Sequence, residues 1–198
     1  MVTSHSIMVL NGEASNILKL LIENKEEKFS IRKIALLRKI NYKSAYLAIK
    51  KLEEERIVGL ERYGNTLNCF FTGKFNERVF AVESFRIEEL IKNPNFDVIY
   101  SKIKQIYFPA IVLLFGSSIK GKIKKNSDID FLVITEKQKE IEQMISLIPL
   151  KIHLTIIKYE EFVSMLKSKE FSVVSEAIKK NIILLGIEDY YRLIENAR

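Results

Sequence analysis

The residues from Ile111 to Ile134, IVLLFGSSIKGKIKKNSDIDFLVI, restrict the fold more than any other stretch. Ile111 to Phe115 is an unbroken apolar run with β-branched members, which reads as a buried strand. Gly116 and Ser117 end it. A basic connector runs from Lys120 to Lys125, and Asn126-Ser127 reads as a turn. Asp128-Ile129-Asp130 then opens a second apolar strand. Side chains alternate faces along a strand, so Asp128 and Asp130 share one face and Ile129 points into the core. The two strands must run antiparallel to bring Gly116-Ser117 beside the two acids.

Two neighbouring carboxylates repel each other unless a cation sits between them. Oxygen ligands of this kind suit Mg²⁺, which completes its shell with water and substrate phosphates. A residue without a side chain lets a phosphate approach the backbone, and N–H groups plus a hydroxyl can bind it. Together these are parts for phosphoryl or nucleotidyl transfer, where positioning and metal electrostatics supply most of the catalysis.

Phe115-Gly116-Ser117, a short basic connector and then Ser127-Asp128-Ile129-Asp130-Phe131-Leu132-Val133 resemble the signature of the DNA polymerase β-like nucleotidyltransferase superfamily. Within it, the nearest resemblance is to the minimal nucleotidyltransferase domains of archaea and bacteria. That resemblance implies an α+β fold with a mixed sheet and flanking helices. It implies Mg²⁺ or Mn²⁺ on Asp128 and Asp130, and ATP or another NTP held by Gly116, Ser117, Lys120 and Ser127. It also implies transfer of AMP or another NMP to a hydroxyl acceptor; related minimal domains adenylylate a tyrosine of a partner helical toxin.

Two departures from the family pattern bear on catalysis. Members usually carry a third carboxylate on the next strand, Lys151 to Ile157 here, where His153 stands instead. Imidazole is a poor Mg²⁺ ligand, yet histidines can act as general bases because imidazole titrates near neutrality. The alternatives are a substrate contact and a hydrogen-bonded strand histidine; Asp97, Glu160 and Glu161 are further acids that could substitute in space. The second departure is Ser118 and Lys120 where the family often has arginines; lysine meets phosphate as a point charge, without a bidentate fork.

The first third of the chain has a different plan. Ala14 to Asn24 carries apolar residues at helical spacing; Ser30 is a candidate N-cap for a helix Ile31 to Lys39, and a third helix spans Tyr42 to Glu55 after an interruption at Asn41. Ile57 to Glu61 and Leu67 to Thr72 read as strands joined through Gly64-Asn65. Three short helices and a hairpin resemble a prokaryotic winged helix-turn-helix. By that resemblance Tyr42, Lys43, Ser44, Tyr46 and Lys50 lie on the DNA-reading helix, Arg62 and Asn65 in the wing, and Arg32 near phosphates. The same residues also suit a solvated face or a protein-binding module. Residues 1–75 are therefore expected as the winged helix-turn-helix domain, 76–95 as a linker helix available for packing or homodimer formation, and 96–198 as the nucleotidyltransferase domain. Ile7 to Leu10 reads as a short strand or an arm.

The remaining elements alternate. Helices are expected at Phe96–Tyr107, Glu136–Ile148, Glu160–Ser168, Ser172–Lys179 and Ile187–Glu195, with a last strand at Ile182–Leu185. The formal net charge of +7 favours acidic partners, nucleotide and double-stranded DNA among them. The single cysteine, Cys69, excludes an intrachain disulfide and points to the cytoplasm. No apolar run is long enough to span a bilayer. The main competitor to an enzyme is a DNA-binding regulator or antitoxin whose second half binds nucleotide with weakened catalysis. An RNA-processing role fits the charge but lacks a dedicated aromatic motif.

Overall fold

The computed structural model describes residues 12–121, 128–168 and 172–197. The expected arm at Ile7–Leu10, the connector residues 122–125, the turn at Asn126-Ser127 and Ser127's nucleotide-binding role lie outside them. The chain divides into two compact units, Met1–Phe85 and Arg86–Arg198.

In the first unit, helix α1 (Glu13–Glu23) buries Ile17, Leu18, Leu21 and Ile22, the apolar stripe of its sequence. A two-residue strand β1 (Phe29–Ser30) precedes α2 (Ile31–Arg38). Ser30 Oγ accepts from Lys33 N at 3.1 Å, so the expected cap is present. Asn41, an interruption in the sequence, is the cap of α3 (Tyr42–Glu54): its Oδ1 accepts from Ser44 N at 2.8 Å. Ala45, Ile49 and Leu52 of α3 are fully buried.

Strands β2 (Val58–Tyr63) and β3 (Thr66–Phe71) form an antiparallel hairpin, with Gly64 at φ +57° in its tight turn. Strand β1 pairs with β3 through Phe29↔Cys69 and Ser30↔Asn68, giving the order β1-β3-β2. Cys69 Sγ donates to Phe29 O at 3.3 Å, and burial pushes its thiol up to about 12. Helix α4 (Glu77–Leu90) begins with a fork. Arg78 Nε and Nη2 donate to the Glu55 carboxylate at 2.8 and 2.7 Å, and Nη1 reaches Ser15 Oγ at 3.2 Å. This holds the Glu55 carboxyl below its ordinary range, chiefly through the Arg78 hydrogen bonds.

The second unit is built on a four-stranded mixed sheet. Strand β4 (Ile111–Phe115) is buried along its whole length. It pairs antiparallel with β5 (Ile129–Ile134), Phe115 facing Asp130, and antiparallel on its other side with β7 (Ile182–Leu185). Strand β6 (Ile152–Ile157) lies parallel to β5, and the order is β6-β5-β4-β7. A parallel neighbour needs a crossover, and helix α6 (Gln138–Ser146) lies in it. Helix α5 (Pro94–Ile103) precedes the sheet, and α7 (Tyr159–Ser168), α8 (Val173–Lys179) and α9 (Ile187–Ala197) complete the unit.

Most element limits lie within one or two residues of the sequence reading, and four larger or more consequential differences stand out. Helix α5 stops at Ile103 instead of Tyr107; Tyr107 lies exposed in the connection to β4. The second motif strand begins at Ile129, one residue after Asp128. Lys120 belongs to a 3₁₀ turn, Gly116–Lys120, and not to an open connector. Strand β1 was not foreseen, because its two residues are extended only through their pairing with β3. Among the described residues, no helix is long and apolar enough to cross a membrane.

Candidate active site

At the end of β4 the chain turns sharply. Gly116 adopts φ +69°, a left-handed conformation that glycine takes without strain. A Cβ placed there would lie 2.4 Å from Asp130 Oδ2. The bare glycine thus admits a carboxylate; the sequence alone suggested room for phosphate. The 3₁₀ turn that follows exposes Ser117 and Lys120 and buries Ser118, whose Oγ has no hydrogen-bond partner. The first N–H groups of such a turn are not consumed inside it.

Asp128 and Asp130 flank buried Ile129 and are both partly exposed, as strand alternation requires. The parallel register places Asp130 opposite His153. His153 Nδ1 stands 3.2 Å from Asp130 Oδ1. One step earlier, Ile129 N donates to Lys151 O at 3.0 Å, which sets Lys151 beside Asp128. Lys151 Nζ lies 2.6 Å from Asp128 Oδ1. That oxygen is shielded from solvent and satisfied by no hydrogen bond, so the contact is an ion pair without hydrogen-bond geometry. Asp130 is therefore brought against Gly116 and His153, and Asp128, two residues away, against Lys151. Sequence reasoning missed Lys151 as a site residue. Its signal was the two-residue spacing to His153, which acquires meaning only once β6 is known to lie parallel to β5.

Among the described residues, no acid joins Asp128 and Asp130 as a third carboxylate. Among the described residues there is no group of three or more His, Cys, Asp or Glu side chains able to hold a metal, so Asp97, Glu160 and Glu161 do not complete the pair. Glu161 Oε2 instead accepts from Lys158 N at 2.9 Å, at the start of α7. The donor set still fits Mg²⁺ or Mn²⁺. Such ions are commonly bound through one or two carboxylates plus substrate phosphates.

In the first unit, Tyr42, Lys43 and Tyr46 are exposed on α3, and the two tyrosine rings stack with centroids 6.4 Å apart. Leu47 is exposed on the same helix. Ser44 is half-buried and its N–H serves the Asn41 cap. Lys50 is ion-paired with Glu53, so a phosphate at Lys50 must displace a carboxylate. Arg32 is exposed on α2, Arg62 on β2, and Asn65 in the hairpin turn.

Neither the curated proteins nor the solved structures give a match to the chain. Residues 98–189, which contain the four-stranded sheet and its acidic face, match the family model described as Polymerase beta, Nucleotidyltransferase, and this supports placing that part of the chain in the nucleotidyltransferase superfamily.

Proposed function

We propose that the second unit transfers a nucleoside monophosphate, AMP from ATP in the first instance, to a hydroxyl acceptor. The observation that carries this reading is the Asp130 carboxylate set against the Gly116 turn, with Asp128 two residues before it on the far side of buried Ile129, within the matched segment. Asp128 and Asp130 would hold Mg²⁺, which supplies charge neutralisation at the phosphates when bound. Gly116 and Ser117 offer backbone N–H groups and a hydroxyl to the triphosphate, and Lys120 offers a point charge. The acceptor oxygen bonds to the α-phosphorus as the α–β bridging bond breaks. Pyrophosphate leaves with the electron pair, and the hydroxyl proton passes to water. His153 stands beside Asp130 as a substrate contact. A protein hydroxyl, such as a tyrosine of a helical partner toxin, is the acceptor class suggested by resemblance.

The test is incubation with labelled ATP, Mg²⁺ and candidate acceptor proteins. The wild type is expected to incorporate label, and the Asp128→Ala/Asp130→Ala variant to stay at background. Equal incorporation by both removes the mechanism.

The first unit favours a second reading that is compatible with the first. Its helices, hairpin and exposed Arg32, Tyr42, Lys43 and Arg62 support a winged helix-turn-helix that binds duplex DNA. Fluorescence anisotropy should show salt-dependent binding, and Lys43→Ala should reduce the log–log salt slope by about one. No binding to duplex at low salt removes this reading.

A further inference from the structure

We infer that Lys151 is a resident counter-ion which makes this site take its divalent cation together with a nucleoside triphosphate and not alone; the inference rests on the nucleotidyl-transfer reading above. Two carboxylates on one strand face carry two negative charges. Lys151, at 2.6 Å from Asp128 Oδ1, cancels one of them. A bare Mg²⁺ or Mn²⁺ approaching the pair therefore meets roughly half the attraction that the acids alone would offer, plus an ammonium in its way.

The contact is built to be exchanged. Asp128 Oδ1 is shielded from water and accepts no hydrogen bond, so Lys151 neutralises its charge without satisfying its lone pairs. The Lys151 side chain is 77% exposed, so it can swing away on its flexible stem without burying or uncovering a core. His153 does not compensate, because its Nδ1 is on the other carboxylate, Asp130. A metal–triphosphate complex brings what a bare ion lacks: phosphate oxygens that accept the displaced ammonium. Lys151 passes from Asp128 to a phosphate oxygen while the acids turn to the cation, and the exchange leaves no charge unpaired.

The same pair of charges then acts as a specificity device. A cation without nucleotide must break the Lys151–Asp128 pair with no new partner for the lysine. A nucleotide without cation meets two acids with a single neutralising lysine. Only the two together match the face.

The probe is Mn²⁺, followed by electron paramagnetic resonance of the free ion, with the full-length protein as wild type, Lys151→Met and Lys151→Arg. Without nucleotide, Lys151→Met should bind Mn²⁺ about fivefold more tightly than wild type, the scale of an exposed ion pair. Lys151→Arg should stay close to wild type. In the presence of Mg²⁺, Lys151→Met should bind a non-hydrolysable ATP analogue about fivefold more weakly. Equal Mn²⁺ affinities in wild type and Lys151→Met, or analogue affinity that does not fall, overturn the inference. Adding Asp128→Asn to both proteins separates the two levels. If Mn²⁺ binding depends on Asp128 but not on Lys151, the inference fails and the nucleotidyl-transfer reading stands. If Mn²⁺ binding ignores Asp128 altogether, that reading fails as well.

Discussion

Gly116→Ala is expected to lower nucleotidyl transfer by roughly a hundredfold in a protein that remains folded, because a misplacement near 1 Å at a reacting centre can cost that much. The new Cβ would lie 2.4 Å from Asp130 Oδ2, and the short aspartate side chain must move to relieve it. Asp130 also faces His153, so the movement disturbs that contact too. The stability cost should be modest, about 1–3 kcal/mol for a non-glycine residue held at positive φ. Gly121→Ala is the control. Gly121 has the same φ of +69°, but a Cβ there meets nothing within 4 Å. Both variants should show a similar drop in Tm, and only Gly116→Ala should lose activity. Full activity in Gly116→Ala would show that the present position of the Asp130 carboxylate is irrelevant to the reaction.

Arg78→Ala should destabilise the protein at pH 7 by about 1–3 kcal/mol, the range for hydrogen bonds to a charged partner and for a polar group left without one. The sign with pH follows from Glu55. Its carboxyl is held low in the folded protein by Arg78, so the charged form is favoured by folding. That contribution is fully present above the unfolded glutamate value of about 4.3 and falls away as pH drops through the lower folded value. Urea denaturation of wild type and Arg78→Ala at pH 7 and at progressively lower pH checks it. The gap between them should narrow in acid. A gap that does not change with pH would assign the effect to packing of the arginine stem.

The acid pair and its partner turn were legible because strand alternation is short-range: Asp128, Ile129 and Asp130 sort onto two faces whatever the rest of the chain does. The caps at Ser30 and Asn41 stand in the sequence for the same reason, although only the first was read as one. What stayed hidden depends on pairing between distant segments. Lys151 is 23 positions from Asp128 and faces it only because β6 runs parallel to β5. Likewise β1 is extended by virtue of Cys69 and Asn68, about 40 positions away. Gly116 was recognised as a necessary glycine but for a different neighbour, since no local rule says that a carboxylate from the adjoining strand fills the space beside it. Lys50 was within reach of sequence reasoning: Glu53 lies three positions on along one helix, a spacing at which opposite charges meet.

Among the described residues, strand β6 forms one border of the sheet, and one side of its backbone has no ladder partner there. Its sequence, IHLTII, is short, apolar, β-branched and free of proline and glycine, the composition that stacks readily with copies of itself. Lysines bracket it, Lys151 before and Lys158 after, and charges in those positions discourage strand-to-strand association between molecules. One ammonium thus answers to two separate demands, neutralising an acid and keeping a sticky border apart from its copies. On the inference drawn for Lys151, removing it would trade protection of that border for cation affinity.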